Sequence, residues 1–300
     1  MTNVMPPTTS DGLEKAKVTA LFRPMASLTE EDVARWAAAI EVMPGAQLSP
    51  PVVGTDGGRP VLTEIRGPRF DARVQDRTAA PGQLRHIGIA LAALHTAPLP
   101  GDGTVTPESP PWEALPLRVW GGLTLSQRQL TGTLHRDAAL RRRGRAIHAA
   151  LTSTAGQAWC HGDARTNNIV VSGDSPMFID WECAGRGRPE VDLGSLCSSL
   201  ITDELTLAQA PKGAEAHQEL QTALRRAAAH ISAVLGGYRA AEGHPLDPDL
   251  LGGAVGCGLL SRALMCASQT RRDRVVTGLT GMGRALVLDP ARWKAIDAHG

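Results

Sequence analysis

A chain of 300 residues with 31 Lys and Arg against 30 Asp and Glu carries a formal charge of +1 and has length for one large domain or two modest lobes. That balance, with no long basic stripe, argues against a nucleic-acid partner. The polar start MTNVMPPTTSDG lacks a signal-peptide pattern, and the longest apolar run, around residues 250–260, is broken by glycines. The five cysteines are scattered with no metal-ligand spacing. The chain therefore reads as cytoplasmic, with buried thiols and no membrane partner. Four lysines against 27 arginines, with abundant Ala and Gly, suggest a GC-rich bacterial genome.

Residues 1–12 read as a flexible leader. Lys17 to Arg23 is a strand ended by Pro24. Ser27 with Glu30 opens a helix whose face is Val33, Trp36, Ala37 and Ile40, stopped by Pro44-Gly45. Two strands flank Asp56-Gly57-Gly58, so 13–66 forms a small α+β unit. Gly67-Pro68 marks a linker, after which residues 67–300 are mainly helical. Gln83 to Thr96 is a helix with Ile87, Ala90, Leu91 and Leu94 on one face. His95 near its end reads as packed or capping rather than as a site residue. Gly101 to Trp112 is a loop. Residues 125–153 are helical, weakened by Gly132 and Gly144. There Arg141, Arg142, Arg143 and Arg145 spread around the helix, as a solvated face more than a docking patch for an acidic partner. Residues 214–241 form one long helix or two, and 248–270 another. Gly252, Gly253, Gly256 and Gly258 look superficially like a dinucleotide loop, but no strand precedes them and close helix packing fits better. Residues 280–296 are a weakly helical tail, and no internal repeat is present.

The informative segment is Trp159 to Glu182, WCHGDARTNNIVVSGDSPMFIDWE. Ile169-Val170-Val171 and Met177-Phe178-Ile179, joined by a Ser/Gly/Asp/Pro turn, predict a β-hairpin. Such a hairpin brings the loop before its first strand close to Asp180 at the end of its second, so Asp163, Asn168 and Asp180 can converge. That convergence suits phosphoryl transfer: an acceptor hydroxyl must be oriented and its proton taken, and oxygen-liganded cations must neutralise charge. Asp163 suits the base, Asn168 and Asp180 suit Mg2+, and Arg165 suits phosphate oxygens through its two-pronged guanidinium. Cys160 and Cys183 flank the segment, but a nucleophile needs a base arranged beside it, and phosphotransfer explains their neighbours better.

The spacing resembles the protein-kinase catalytic loop with its metal-binding Asp. With Gly162 after His161 it is more similar to the aminoglycoside phosphotransferase and choline kinase family, whose pattern is His-Gly-Asp, four residues, Asn, then a strand and an Asp. The resemblance spans about residues 62–270, strong at 159–182 and fair at 83–98 and 185–200. It implies a two-lobed protein-kinase-like α+β fold. A small N-terminal lobe would precede a larger helical lobe carrying the catalytic hairpin. It also implies ATP or GTP with Mg2+, catalytic Asp163 and Arg165, and metal-binding Asn168 and Asp180. His161 and Gly162 would hold the loop. Asp192 matches a family Asp that hydrogen-bonds the catalytic loop from a helix start, a role compatible with a plain N-cap. Glu182 is a candidate for a supporting or substrate-amine contact.

The N-terminal part fits less well. Gly12 is the only glycine before Gly45, so no Gly-rich loop is present, nor a Val-Ala-Ile-Lys strand. Lys17, Arg23 and Glu64 are the candidates for nucleotide binding, with Glu30 or Glu31 as an ion-pair partner for Arg23. For the acceptor, Asp203, Glu204, Glu215 and Glu219 supply acids that an aminoglycoside would need. Three readings follow: a kinase of a small hydroxylated molecule, a Ser/Thr kinase of a biosynthetic precursor peptide with a protein partner completing the nucleotide site, and a non-catalytic kinase-fold scaffold. Retention of Asp163, Asn168 and Asp180 argues against the third.

Overall fold

Apolar spacing becomes helix along most of the chain's second half, and the helices surround one short hairpin. The computed structural model describes residues 48–49, 52–56, 59–62, 67–99, 103–153, 158–181, 183–208, 214–268 and 273–294. Strands β1 (Val52–Asp56) and β2 (Arg59–Leu62) pair antiparallel, Asp56 opposite Arg59, as the Asp-Gly-Gly turn predicts. The leader, the 17–23 strand and the 27–43 helix lie outside the described residues.

The linker at Gly67-Pro68 runs straight into contact with the hairpin. Arg69 bridges Val170, and helix α1 (Phe70–Gln75) follows with Phe70 and Val74 buried. Helix α2 (Pro81–Thr96) starts with Pro at its first position, where the missing N–H is harmless. It buries Leu84, Ile87, Leu91 and Leu94. The helix expected over 125–153 is two. After the short α3 (Leu117–Gly122), α4 (Leu125–Arg136) is capped by Thr124, and α5 (Ala138–Leu151) by Asp137, whose carboxylate accepts from Leu140 N. Asp137 both ends one helix and starts the next, because its side chain competes for backbone donors.

Strand β3 (Ala158–Cys160) leads through residues 161–165 into a 3-10 turn, Thr166–Asn168. The predicted hairpin follows as β4 (Ile169–Ser172) and β5 (Ser175–Phe178), with Ile169 opposite Phe178 and Ser172 opposite Ser175. Strand β6 (Gly185–Gly187) pairs back on β3, and the 103–106 loop joins it through Val105 N to Arg186 O at 2.9 Å. Three-residue strands carry too little pattern to read from sequence.

Helices α6 (Glu190–Leu207), α7 (Ala214–Ala240), α8 (Pro248–Cys266) and α9 (Asp273–Leu288) complete the lobe, so the tail expected from residue 280 begins earlier. Helix α8 is apolar on every side and lies at the centre of the lobe. It is long and apolar enough to cross a membrane, yet 83% of its most apolar window is buried within the fold, which makes it a core helix. Its glycines pack against neighbours as expected: Gly252 on Trp293, Gly256 on α9 and Gly258 on Ser198 of α6. All five cysteines are buried, and none is in a disulfide.

Helices α2 and α7 meet where Gly88 lies against the Val234 carbonyl and Gly237 against the Arg85 carbonyl. A methyl group at Gly88 would collide with backbone, which cannot swing aside. Gly88→Ala is therefore expected to destabilise the fold by about 1–3 kcal/mol despite its higher helix propensity. Equilibrium urea unfolding measures this, and an unchanged or raised midpoint contradicts the packing.

Candidate active site

Asp163 has no exposed surface. It sits on the loop between β3 and the 3-10 turn, where Gly162 adopts φ +82°. Any side chain at Gly162 would be strained and would run into the Cys183 carbonyl. The turn is held from below by Asp192 in the first turn of α6. Its carboxylate accepts His161 N–H at 2.7 Å and Gly162 N–H at 2.8 Å. The residue before α6 is Pro189, so Asp192 caps the loop rather than its own helix.

His161 closes the same loop from the side. Its Nδ1 accepts Asp163 N–H at 3.2 Å, so Nε2 carries the proton and donates to Ile179 O at 2.9 Å. The ring packs on Trp181, 4.5 Å between centroids, and burial holds its pKa below the ordinary histidine value. A neutral imidazole thus ties the peptide of Asp163 to the residue preceding Asp180.

Behind Asp192 lies a buried relay. His95 Nε2 is 3.0 Å from Asp192 Oδ2, and its Nδ1 is 3.1 Å from the Tyr238 hydroxyl. His244 Nε2 donates to His95 O at 2.9 Å. His95 therefore packs away from the reacting side. His95, Cys160 and Asp192 lie close enough to suggest a metal group. Both His95 nitrogens and both Asp192 oxygens are engaged in hydrogen bonds, however, and burial pushes the Cys160 thiol well up. The cluster is structural.

On the reacting side, Asp163 Oδ2 accepts Asn168 Nδ2 at 2.8 Å and lies 3.2 Å from Arg165 Nε. Asn168 Nδ2 also reaches Asp163 O at 3.1 Å, which leaves the Asn168 side-chain oxygen for a cation. Ile179 N donates to Asn168 O at 2.9 Å, extending the ladder one residue beyond the hairpin. Asp180 follows, exposed and at φ +68°, turning away from the strand. The structure thus brings Asp163, Arg165, Asn168 and Asp180 onto one loop and hairpin, with His161, Gly162 and Asp192 supporting it. Lys17, Arg23, Glu64 and Glu182 lie outside the described residues, as do Glu30 and Glu31.

The acids considered for an aminoglycoside are arranged otherwise. Glu204 is 1% exposed and tied to Arg77 and to Arg226, 3.1 Å away, so it joins the turn after α1 to α6 and α7 and is withdrawn from any acceptor. Asp203 accepts the Thr166 hydroxyl at 2.6 Å, and burial raises its carboxyl to about 6 against the opposing pull of that bond and of Arg262. Glu215 is exposed and Glu219 half-buried at the start of α7. Sequence reasoning passed over Ser199, whose hydroxyl accepts Thr166 N–H at 3.1 Å, and Arg262, a lone charge inside the apolar run of α8. A solitary arginine in a helix buried on all sides was the available signal.

A phosphotransferase-type catalytic loop in a mixed α+β chain defines the class. The APH family model, the phosphotransferase enzyme family, matches residues 20–230, and the chain belongs to that family. Choline kinase from Cryptosporidium parvum Iowa II is 10% identical over 92% of this chain and 82% of its own, with a TM-score of 0.50. A choline/ethanolamine kinase family protein from Mesorhizobium loti is 20% identical over 93% and 86%, with a TM-score of 0.41. Macrolide 2'-phosphotransferase from Brachybacterium faecium is 18% identical over 95% and 82%, with a TM-score of 0.39. No curated protein matches the chain. The fold is the two-lobed protein-kinase-like one, a small β lobe with a larger helical lobe.

An Asp raised from 3.8 to about 6 on folding binds more protons in the native than in the unfolded state between those values. Its contribution therefore falls as pH rises through that window and is least favourable above it. Asp203→Asn retains an acceptor for Thr166 and removes the charge. The variant is expected to gain Tm relative to wild type from about pH 4 to about pH 7. A difference that does not change across a pH series of melting curves contradicts this.

Proposed function

We propose that this chain is a Mg2+-dependent phosphotransferase that moves the γ-phosphoryl group of ATP or GTP to a hydroxyl of a small molecule. The observation that carries this is the union of Asp163, Asn168 and Asp180 on one loop and hairpin whose backbone is clamped by Asp192 and His161. A scaffold has no use for a buried carboxylate held this firmly beside two oxygen donors suited to a hard cation.

Asp163 would accept the proton of the acceptor hydroxyl as the hydroxyl oxygen bonds to the γ-phosphorus and the bond from phosphorus to the departing diphosphate breaks. Its interactions with Asn168 and Arg165 hold the carboxylate aimed, so positioning outweighs basicity, as a loose transition state requires. The Asn168 side-chain oxygen and the exposed Asp180 carboxylate fit Mg2+, which takes few protein ligands and is completed by phosphate oxygens and water. Bound there, the ion would neutralise the charge of the transferring and departing phosphates. Arg165, with its Nε on Asp163, has the far edge of its guanidinium to offer the transferring phosphoryl group. His161 and Gly162 shape the loop without reacting. On sequence grounds Lys17, Arg23 and Glu64 are proposed for the nucleotide, and Glu182 for a supporting contact.

Asp163→Ala is expected to lower turnover by about 10³-fold while leaving the MgATP-induced rise in melting temperature nearly unchanged. Asp180→Ala is expected to remove both turnover and the Mg2+ dependence of nucleotide binding. Acceptor-dependent ADP release and thermal-shift titration read these out, and an active Asp163→Ala enzyme overturns the assignment.

A further inference from the structure

Arg262 is a charge that nothing described in the protein pairs. It is 7% exposed at the centre of the helical lobe, and burial presses its guanidinium toward the neutral form. Its Nε donates to Ser198 Oγ at 3.1 Å and its Nη2 to Ser195 O at 3.2 Å. Nη1 makes no hydrogen bond among the described residues. No described carboxylate comes within the 4 Å of an ion pair, although Glu108, Asp203 and Asp163 all act on it electrostatically. A buried arginine kept for structure normally closes onto a carboxylate, as Arg77 and Arg226 do on Glu204, because an uncompensated buried charge is costly.

Its position gives the charge a direction. Asp192, Ser199 and Asp203 recur at helical spacing on α6, and all three bond the loop from His161 to Thr166. This is the underside of the catalytic loop. The other side carries the hairpin, where Leu48 of the N-terminal part accepts Phe178 N–H at 2.7 Å. Gly258, one turn before Arg262, lets α8 close onto Ser198, so the arginine side chain lies along α6 and reaches Ser195, one turn from Asp192. The guanidinium interacts electrostatically with Asp163 and with Arg165. It therefore lies on the helical side of the base, across the loop from the N-terminal part.

We infer that Arg262 reads the acceptor: it binds a carboxylate that the acceptor carries beside the hydroxyl to be phosphorylated. The inference rests on the phosphotransferase reading and deepens it. Arginine suits the role because its planar fork meets such a group with two parallel hydrogen bonds and stays charged when buried. Glu108 and Asp203, near the guanidinium but out of contact, discourage acceptors that lack a group able to bind it directly. They also suit an acceptor bearing an amine as well as the acid.

The test uses the full chain with MgATP and acceptors matched in all but the carboxylate: L-serine against ethanolamine, D-glycerate against glycerol, and D-gluconate against D-glucitol. Acceptor-dependent ADP release and melting temperature are measured for wild type, Arg262→Lys and Arg262→Gln. In wild type the carboxylated member of at least one pair is expected to win by about tenfold or more in kcat/KM. Arg262→Gln should lose that preference through a raised acceptor KM, Arg262→Lys should keep part of it, and the MgATP melting shift should be the same in all three. Arg262→Lys retains the charge and so guards against a loss that reflects misfolding. Equal use of both members, or preference for the uncharged or amine member, overturns the inference. So does binding of MgATP with no response, by turnover or melting, to any carboxylated compound. A raised KM for MgATP in Arg262→Gln reassigns the guanidinium to nucleotide phosphate. Absence of any MgATP melting shift in wild type overturns the phosphotransferase reading itself, and the inference falls with it.

Discussion

The carboxylate of Asp192 is the constraint on which the rest depends. The turn before Asp163 requires a glycine at positive φ, and its two peptide N–H groups point into the protein, where no water can serve them. An orphaned buried donor costs about 1–3 kcal/mol, and Asp192 satisfies two of them with one side chain while taking a third bond from His95. Charged acceptors make the stronger hydrogen bonds, and the first turn of a helix favours the negative charge. Against a total stability of about 5–15 kcal/mol, losing all three bonds is a loss of fold as much as of site. Asn at 192 would present an amide N–H to a backbone N–H, so even the isosteric change leaves a donor facing a donor.

His161 and Asp192 hold the loop through different groups. Asp192 fixes its height over α6, while His161 fixes its distance from the hairpin by bonding both the Asp163 peptide and the Ile179 carbonyl. The Asp163 peptide and the residue preceding Asp180 are then set by one imidazole rather than by separate elements. That coupling requires a neutral ring, since Nδ1 must accept, and burial against Trp181 and Phe178 keeps it so. A histidine beside an aspartate invites a reading as proton acceptor, but here both nitrogens are engaged with the backbone.

What the sequence made legible was local. The β4–β5 hairpin follows from two β-branched or apolar runs and a turn, and α2 follows from period 3.6 with a leading proline, so both appear where the pattern puts them. The grouping of Asp163, Asn168 and Asp180 was legible for the same reason, being a consequence of one hairpin. The β3–β6 pair and the Tyr238–His95–Asp192 relay were not, because they join residues 25 to 143 apart through three-residue strands and single side chains. Glu204 shows the converse error. In sequence it is one acid among several in a helical stretch, and only packing reveals Arg77 and Arg226 closing on it.

The two faces of the catalytic loop answer to different demands. The hairpin face carries short-range chemistry that any phosphoryl acceptor needs, so its residues sit in one contiguous motif. On the proposed function the α6 and α8 face would distinguish one hydroxyl compound from another, and its groups come from Asp203, Glu108 and Arg262, up to 154 positions apart between Glu108 and Arg262. Selectivity between similar alcohols requires a buried group that is left unsatisfied by the wrong one, since an added or missing methylene discriminates weakly whereas an unpaired polar group discriminates strongly. Of the charges on that face, Asp203 is bonded to Thr166 and Arg165 is paired with Asp163. The guanidinium of Arg262 is held by two neutral oxygens at 3.1 and 3.2 Å, which orient it without neutralising it. A fixed, desolvated charge awaiting its counter-charge is preorganised for one class of partner, and its burial is what makes the distinction large.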